Sequence, residues 1–207
     1  MSSSFGEKWD AVFSPDKRYR YWLERDWSHP AGLLDLRPEE CDGYSCRECD
    51  PYGCAYPPAV KPRTINFLLL NPSTADSFKN DPTVERCYQR AKSMGFDRLV
   101  VTNIFAFRAT DPAVMRAAPE PVGEENDAYI IKAALKSELV VCGWGGSHGG
   151  YRARGMTVAR ILTELGVKLH ALRICPNGHP AHPLYLPYSA LPVRYIAFDI
   201  NKLSDKM

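Results

Sequence analysis

The chain has 207 residues, of which 45% are hydrophobic and 24% charged, with a formal net charge of +2; that is enough for one domain, spanning 1–207, that buries roughly two-thirds of its unfolded surface. A mean hydropathy of −0.31 with no apolar run near ~18 residues excludes a membrane-spanning helix, and a pI of about 8.1 leaves the partner open, since phosphate contacts need only a local basic patch. The opening MSSSFGEKWD has neither a charged n-region nor an apolar h-region, so the expected setting is the cytoplasm, with cysteines reduced or metal-bound.

Residues 18–27, RYRYWLERDW, alternate aromatic or aliphatic with charged side chains and read as a half-buried strand, placed at a sheet edge. From Ser28 to Pro62 the chain is rich in Pro, Gly and Cys without periodicity, which reads as a cysteine-rich insertion rather than core. Within it Cys41, Cys46, Cys49 and Cys54 follow a C-x4-C-x2-C-x4-C spacing. Four thiolates in so short a segment suit a closed tetrahedral zinc site that supplies folding energy to the loop; an iron–sulfur cluster or free thiols are the other readings.

Regular alternation begins at Thr64. A strand over 65–70 (INFLLL) leads to Asp81-Pro82, an N-cap with a first-turn proline, and to a helix with Val84, Cys87, Tyr88 and Ala91 on one face and Gly95 at its end. A second buried strand, Leu99–Thr102, ends on Asn103 and enters a Pro-rich loop. A helix over 123–137 then places Ala128, Ile131, Ala134 and Leu135 on one side. A third strand, Leu139–Cys142, breaks at GWGGSHGG. A helix over 155–165, closed by Gly166, precedes a fourth strand, 168–174, that runs into CPNGHPAHPLYLP. Strands alternating with amphipathic helices predict an α/β fold: a three-layer α/β/α domain around a central parallel four-stranded sheet. Cys87, Cys142 and Cys175, in apolar or strand contexts, read as buried.

In such a sheet ligands bind beyond the carboxyl ends of the strands, and the four unusual loops all fall there. In NPSTAD (71–76) the Asn71-Pro72 pair fixes a turn; Asn71 can hold a water or substrate atom, Ser73 and Thr74 offer donors to an anion, and Asp76 is a carboxylate able to take a proton, while Asp81 reads as the N-cap. A plain Asx turn is the structural alternative. TNIFAFRATDP (102–112) gathers Asn103, Phe105, Phe107 and Arg108, groups of the kind that read a flipped base by stacking and along its Watson–Crick edge, unless the phenylalanines are core. In GWGGSHGGYRARG (143–155) glycines allow close backbone approach beside Trp144, and Arg152 and Arg154 could meet phosphates; the P-loop and dinucleotide spacings are absent. In GHPAHPLYLP (178–187) His182, ahead of His179, can donate to a developing anion or bind a metal, and the sequence offers no clear metal partner.

The order of these motifs over 64–190 resembles the uracil-DNA glycosylase superfamily: a strand ending in N-P, one ending in T-N before F-R-A-T-D-P, one ending in C-G-W-G, and one followed by H-P-L. LNPSTAD and NIFAFRATDP are also similar to a bacterial and phage family long without assigned function, some members of which are implicated in antiviral defence by excising modified phage bases. The resemblance implies that Asn71 positions the hydrolytic water, Asn103 reads the base, and His182 stabilises the departing base and clamps DNA. It implies an enzyme that flips a pyrimidine, uracil or a modified base such as hydroxymethylated or glucosylated cytosine, and hydrolyses its N-glycosidic bond to leave an abasic site. DNA contacts would come from Ser73, Thr74, Trp144, Arg152, Arg154 and His179, with a monomer as the acting unit. Three positions depart from the superfamily pattern. Asn71 stands where many relatives carry Asp, so Asp76 is the candidate base. Leu184 replaces the usual Ser of the histidine loop, and Phe107 stands where cluster-bearing relatives have a cysteine. An N-glycosidase for free nucleosides or nucleotides and a catalytically inactive DNA-binding module are the alternative functions.

Overall fold

The computed structural model describes residues 7–28, 61–145 and 151–197, without the side chains of 151 and 152. Cys41, Cys46, Cys49 and Cys54 lie outside the described residues, as does nearly all of the expected insertion. The chain forms β1 (Lys8–Phe13), β2 (Arg20–Asp26), β3 (Thr64–Leu69), α1 (Pro82–Ser93), β4 (Arg98–Asn103), α2 (Pro112–Ala117), α3 (Asn126–Lys136), β5 (Leu139–Cys142), α4 (Tyr151–Glu164), β6 (Leu169–Ala171) and β7 (Val193–Arg194). No helix of the described residues is long and apolar enough to cross a membrane.

One mixed sheet runs in the order β1-β2-β4-β3-β5-β6-β7. The four strands expected from the sequence, β3 to β6, are mutually parallel and form its centre. The described sheet has seven strands rather than four because β1 and β2 add antiparallel on one side and β7 on the other. The 18–27 segment supplies β2, which lies inside β1 instead of at the edge; strand alternation reads alike in both places, and β1 itself, KWDAVF, is only partly buried and gives a weak signal.

Why the helices dock is visible in the alternation. Ile65, Phe67 and Leu69 of β3, with Leu99 and Val101 of β4, join α1 residues Val84, Cys87, Tyr88 and Ala91 in one buried cluster. Leu68, Val140 and Cys142, of opposite parity, join Ile130 and Ala134 of α3 and Val158, Ala159 and Leu162 of α4 in another. The α1 face is as the sequence predicts. In α3 the buried stripe is Asn126, Ile130, Ala133 and Ala134; of the expected face, Ala134 is buried and Ile131 half-buried against the core, while Ala128 and Leu135 are exposed, Leu135 at 59%. The shift follows from Asn126, whose buried amide donates to the carbonyls of Asn103 and Ile104 at 3.0 and 3.3 Å and fixes the helix rotation.

Other elements also differ from expectation. Asp111 accepts from Ala113 N at 2.8 Å and starts α2 with Pro112, the same signature as Asp81-Pro82. The last helix begins at Tyr151, because Gly155 serves close packing rather than a break: a Cβ there would lie 2.7 Å from the Trp144 ring. β6 is shorter than 168–174, its chain leaving the sheet after Ala171. Cys87 and Cys142 are buried as expected and Cys175 only partly; burial pushes the first two thiols well up, so neither is a nucleophile.

Candidate functional site

The register brings the strand ends level: Leu69 pairs with Asn103, Leu68 with Cys142, and Cys142 with Ala171. All four motif loops therefore leave from one edge. The first two are fastened to each other. Ile104 N and Phe105 N donate to the carbonyls of Leu69 and Leu70 at 2.9 and 3.0 Å, and Ala109 N donates to Pro72 O at 2.9 Å. Asn71 closes this seam, its Nδ2 donating to Ala109 O at 2.7 Å and to Pro72 O at 3.1 Å, and Ser73 Oγ lies 3.3 Å from Thr110 Oγ1. With the amide nitrogen committed, the acceptor Oδ1 is the atom of Asn71 suited to a water. Thr74 is exposed beside them.

Beneath the seam sits a polar pair that the sequence reading missed. Asn103 is 2% exposed, and its Oδ1 accepts from Nη2 of Arg20 at 3.2 Å; Arg20 is equally buried and also donates to Ala75 O at 3.0 Å. A guanidinium only donates, so it fixes which way the Asn103 amide points. The Nδ2 of Asn103 has no hydrogen-bond partner in the described structure. Burial pushes the Arg20 pKa down to about 10, against the attraction of Asp81 and Asp76, so it stays charged at neutral pH. Arg20 reaches this place through a β-bulge: Phe13 pairs with Arg20 and Val12 with Trp22, skipping Tyr21. The extra residue turns Arg20 to the same face as Leu23 and Arg25.

The third and fourth loops meet in the same way. Gly143 passes between the first and last: a Cβ there would lie 2.9 Å from Pro183 Cδ and 3.1 Å from Leu69 Cδ2. Gly145, at φ +86°, donates to Pro180 O at 3.0 Å and borders a cavity of about 430 Å³ shared with Arg173, Cys175, His182 and Tyr185. His182 Nδ1 accepts from Leu184 N at 3.4 Å, which leaves Nε2 as the protonated nitrogen of the neutral ring. Burial pushes its pKa down to about 4, with Asp81 pulling the other way. Asp81 is the N-cap of α1, accepting from Thr83 N and Val84 N at 3.0 and 2.9 Å, and its charge is felt by both Arg20 and His182. The histidine loop is held from α1 by Arg90, which donates to the carbonyls of Leu186, Pro187, Tyr188 and Ala190 at 2.8–3.3 Å, and by Arg86, which reaches Leu186 O at 2.5 Å.

The other expected site residues make contacts within the protein. Phe105 is 7% exposed within the α3/α4 cluster, and Trp144 is 2% exposed, edge-on to Tyr195 at 5.8 Å. Both rings are packed into the core. Arg154 donates to Ile104 O at 2.9 Å and pairs with Asp127. Arg108 lies over the Phe13 ring at 4.9 Å and donates to Lys17 O at 3.2 Å. His179 is 3% exposed in a tight turn in which its carbonyl accepts from Cys175 N at 2.8 Å. Asp76 Oδ1 accepts from Phe78 N and Lys79 N at 2.8 and 2.9 Å, the Asx turn weighed as the alternative for this loop. The side chain of Arg152 is not described. No group of three or more potential metal ligands occurs among the described residues.

Fold and site together define a mixed α/β protein with a mostly parallel central sheet, whose carboxyl edge gathers Asn71, Asn103, Arg20 and His182. Residues 58–184, well over half of the chain, match a family described as a protein of unknown function (DUF1643), and the chain belongs to that family. No curated protein and no solved structure matches.

Proposed function

We propose that this protein is a monomeric, cytoplasmic DNA glycosylase that hydrolyses the N-glycosidic bond of a flipped pyrimidine, uracil or a modified base, to leave an abasic site. The reading includes a three-layer α/β/α domain around the four parallel strands, supported by the two clusters of opposite strand parity. The observation that carries it is Asn103: a buried amide at the strand edge, orientation set by Arg20, with Nδ2 unmatched. An unmet buried donor costs about 1–3 kcal/mol, and an acceptor on a ligand inserted at this edge would recover it.

Each remaining group has a role in that reaction. Asn71 Oδ1 holds a water, which forms its bond to C1′ as the bond from C1′ to the base nitrogen breaks. Both electrons of the broken bond leave with the base. The Nε2–H of neutral His182 donates to the anion that develops there, a stabilisation available without any change of protonation state. The water proton passes to solvent or to Asp76, through Oδ2, since Oδ1 is engaged in the turn. A structural zinc on Cys41, Cys46, Cys49 and Cys54 belongs to the same reading. Incubating the protein with duplexes carrying uracil, hydroxymethylcytosine or glucosylated hydroxymethylcytosine, followed by alkali, tests it: strand breaks at the altered base are expected, and their absence on every duplex contradicts it.

A further inference from the structure

Among the described residues the most exposed large apolar side chain is Phe78, at 81%. It is not on a loose tip. Asp76 Oδ1 accepts from Phe78 N and Lys79 N, and Asp76 N donates to Lys79 O at 3.1 Å, closing the turn on itself. From below, Nη2 of Arg25 donates to Asp76 O at 2.5 Å and reaches Lys79 O at 3.4 Å. Arg25 is fully buried, stacked on Trp9 at 4.2 Å and tied to Asn80 Oδ1 at 2.9 Å. A buried cation thus holds the carbonyls of a turn whose backbone carries a phenyl ring out into water. Tyr185, nearly as exposed at 79%, faces His182 and lines the cavity, so its position has an explanation that Phe78 lacks.

We propose that Phe78 is a wedge that enters the base stack of duplex DNA, filling the place of the nucleotide drawn towards Asn71, while the adjacent exposed Lys79 ammonium meets a flanking phosphate. The inference rests on the glycosylase reading. Three features support the assignment: the ring is in the Asn71 loop, it is flanked by a cation, and its turn is closed by hydrogen bonds without any ligand. An apolar side chain on a turn whose backbone is already hydrogen-bonded inserts between bases with less ordering of the chain than one on an unstructured loop.

The test uses two duplexes of one sequence, intact and carrying a tetrahydrofuran abasic analogue, each with 2-aminopurine next to the variable position. Wild-type protein is expected to bind the abasic duplex more tightly and to change its 2-aminopurine emission. Phe78→Ala is expected to lose about tenfold in affinity for that duplex, the scale of one base–aromatic stack, together with the emission change, while Phe78→Trp and Phe78→Leu retain both. Unchanged melting of Phe78→Ala confirms that the turn still folds. If the wild type cleaves base from DNA and Phe78→Ala matches it in affinity and emission, the wedge is wrong and the glycosylase stands. If the wild type binds neither duplex, the DNA reading falls and the wedge with it.

Discussion

Arg20 and Asn103, from strands distant in sequence, share one buried hydrogen bond of 3.2 Å from guanidinium to amide oxygen. The bond makes Asn103 a donor of fixed direction at the edge where the four loops leave. Arg20→Met removes the lock while keeping most of the volume. Base release in single turnover is expected to fall about 100-fold, the scale of losing one oriented donor in a reaction site. Melting should fall by a few degrees, because Ala75 O and the buried Asn103 Oδ1 lose their donor, so the rate is compared per folded molecule. Unchanged single-turnover rates would remove Arg20 from the site.

His182 sets a pH dependence whose sign follows from its depressed pKa. The unfolded chain takes up this proton near 6.5 and the folded chain only near 4. Between those values the unfolded state binds more protons, so stability is full above pH 6.5 and is lost as the pH falls towards 4. The loss should be about 2 kcal/mol, discounted for partial exposure. Denaturant titrations across that range measure it, and His182→Gln should flatten this part of the slope. The same substitution should slow base release about 100-fold at pH 7.

Arg90 tests how the histidine loop is held. Four carbonyls converge on its guanidinium, and Arg90→Ala leaves them unmatched, at a cost of about 3 kcal/mol. Thermal unfolding should shift down by several degrees. Proteolysis within 186–190 should become faster than in the wild type.

The central fold was legible because its signals are local. Asp81-Pro82, the α1 face and the strand-end asparagines each announce themselves within a few residues, and parallel register then places the loops together. The outer strands were harder to read, because β1 and β7 have little apolar periodicity and depend on pairing partners far along the chain. Arg20, Arg25 and Arg90 were missed for a related reason. In sequence an arginine in an alternating strand or on a helix reads as solvated, and only tertiary structure shows its donors turned inward to carbonyls. Arg90 did leave a trace, lying beside the Cys87, Tyr88, Ala91 stripe. Phe105, Trp144 and Arg154 each sit in a loop motif that looks functional, and the structure adds what the sequence did not show, that each is engaged in packing or in an internal ion pair.

Asn103 carries the proposed reaction most directly. The decisive measurement is abasic-site formation by the wild type and by Asn103→Ala, on the panel of uracil, hydroxymethylcytosine and glucosylated hydroxymethylcytosine duplexes. Alkali-labile sites at one of these bases with the wild type, reduced at least about 100-fold in Asn103→Ala, are the predicted result. No such sites with the wild type on any duplex, or equal cleavage by the variant, would contradict it.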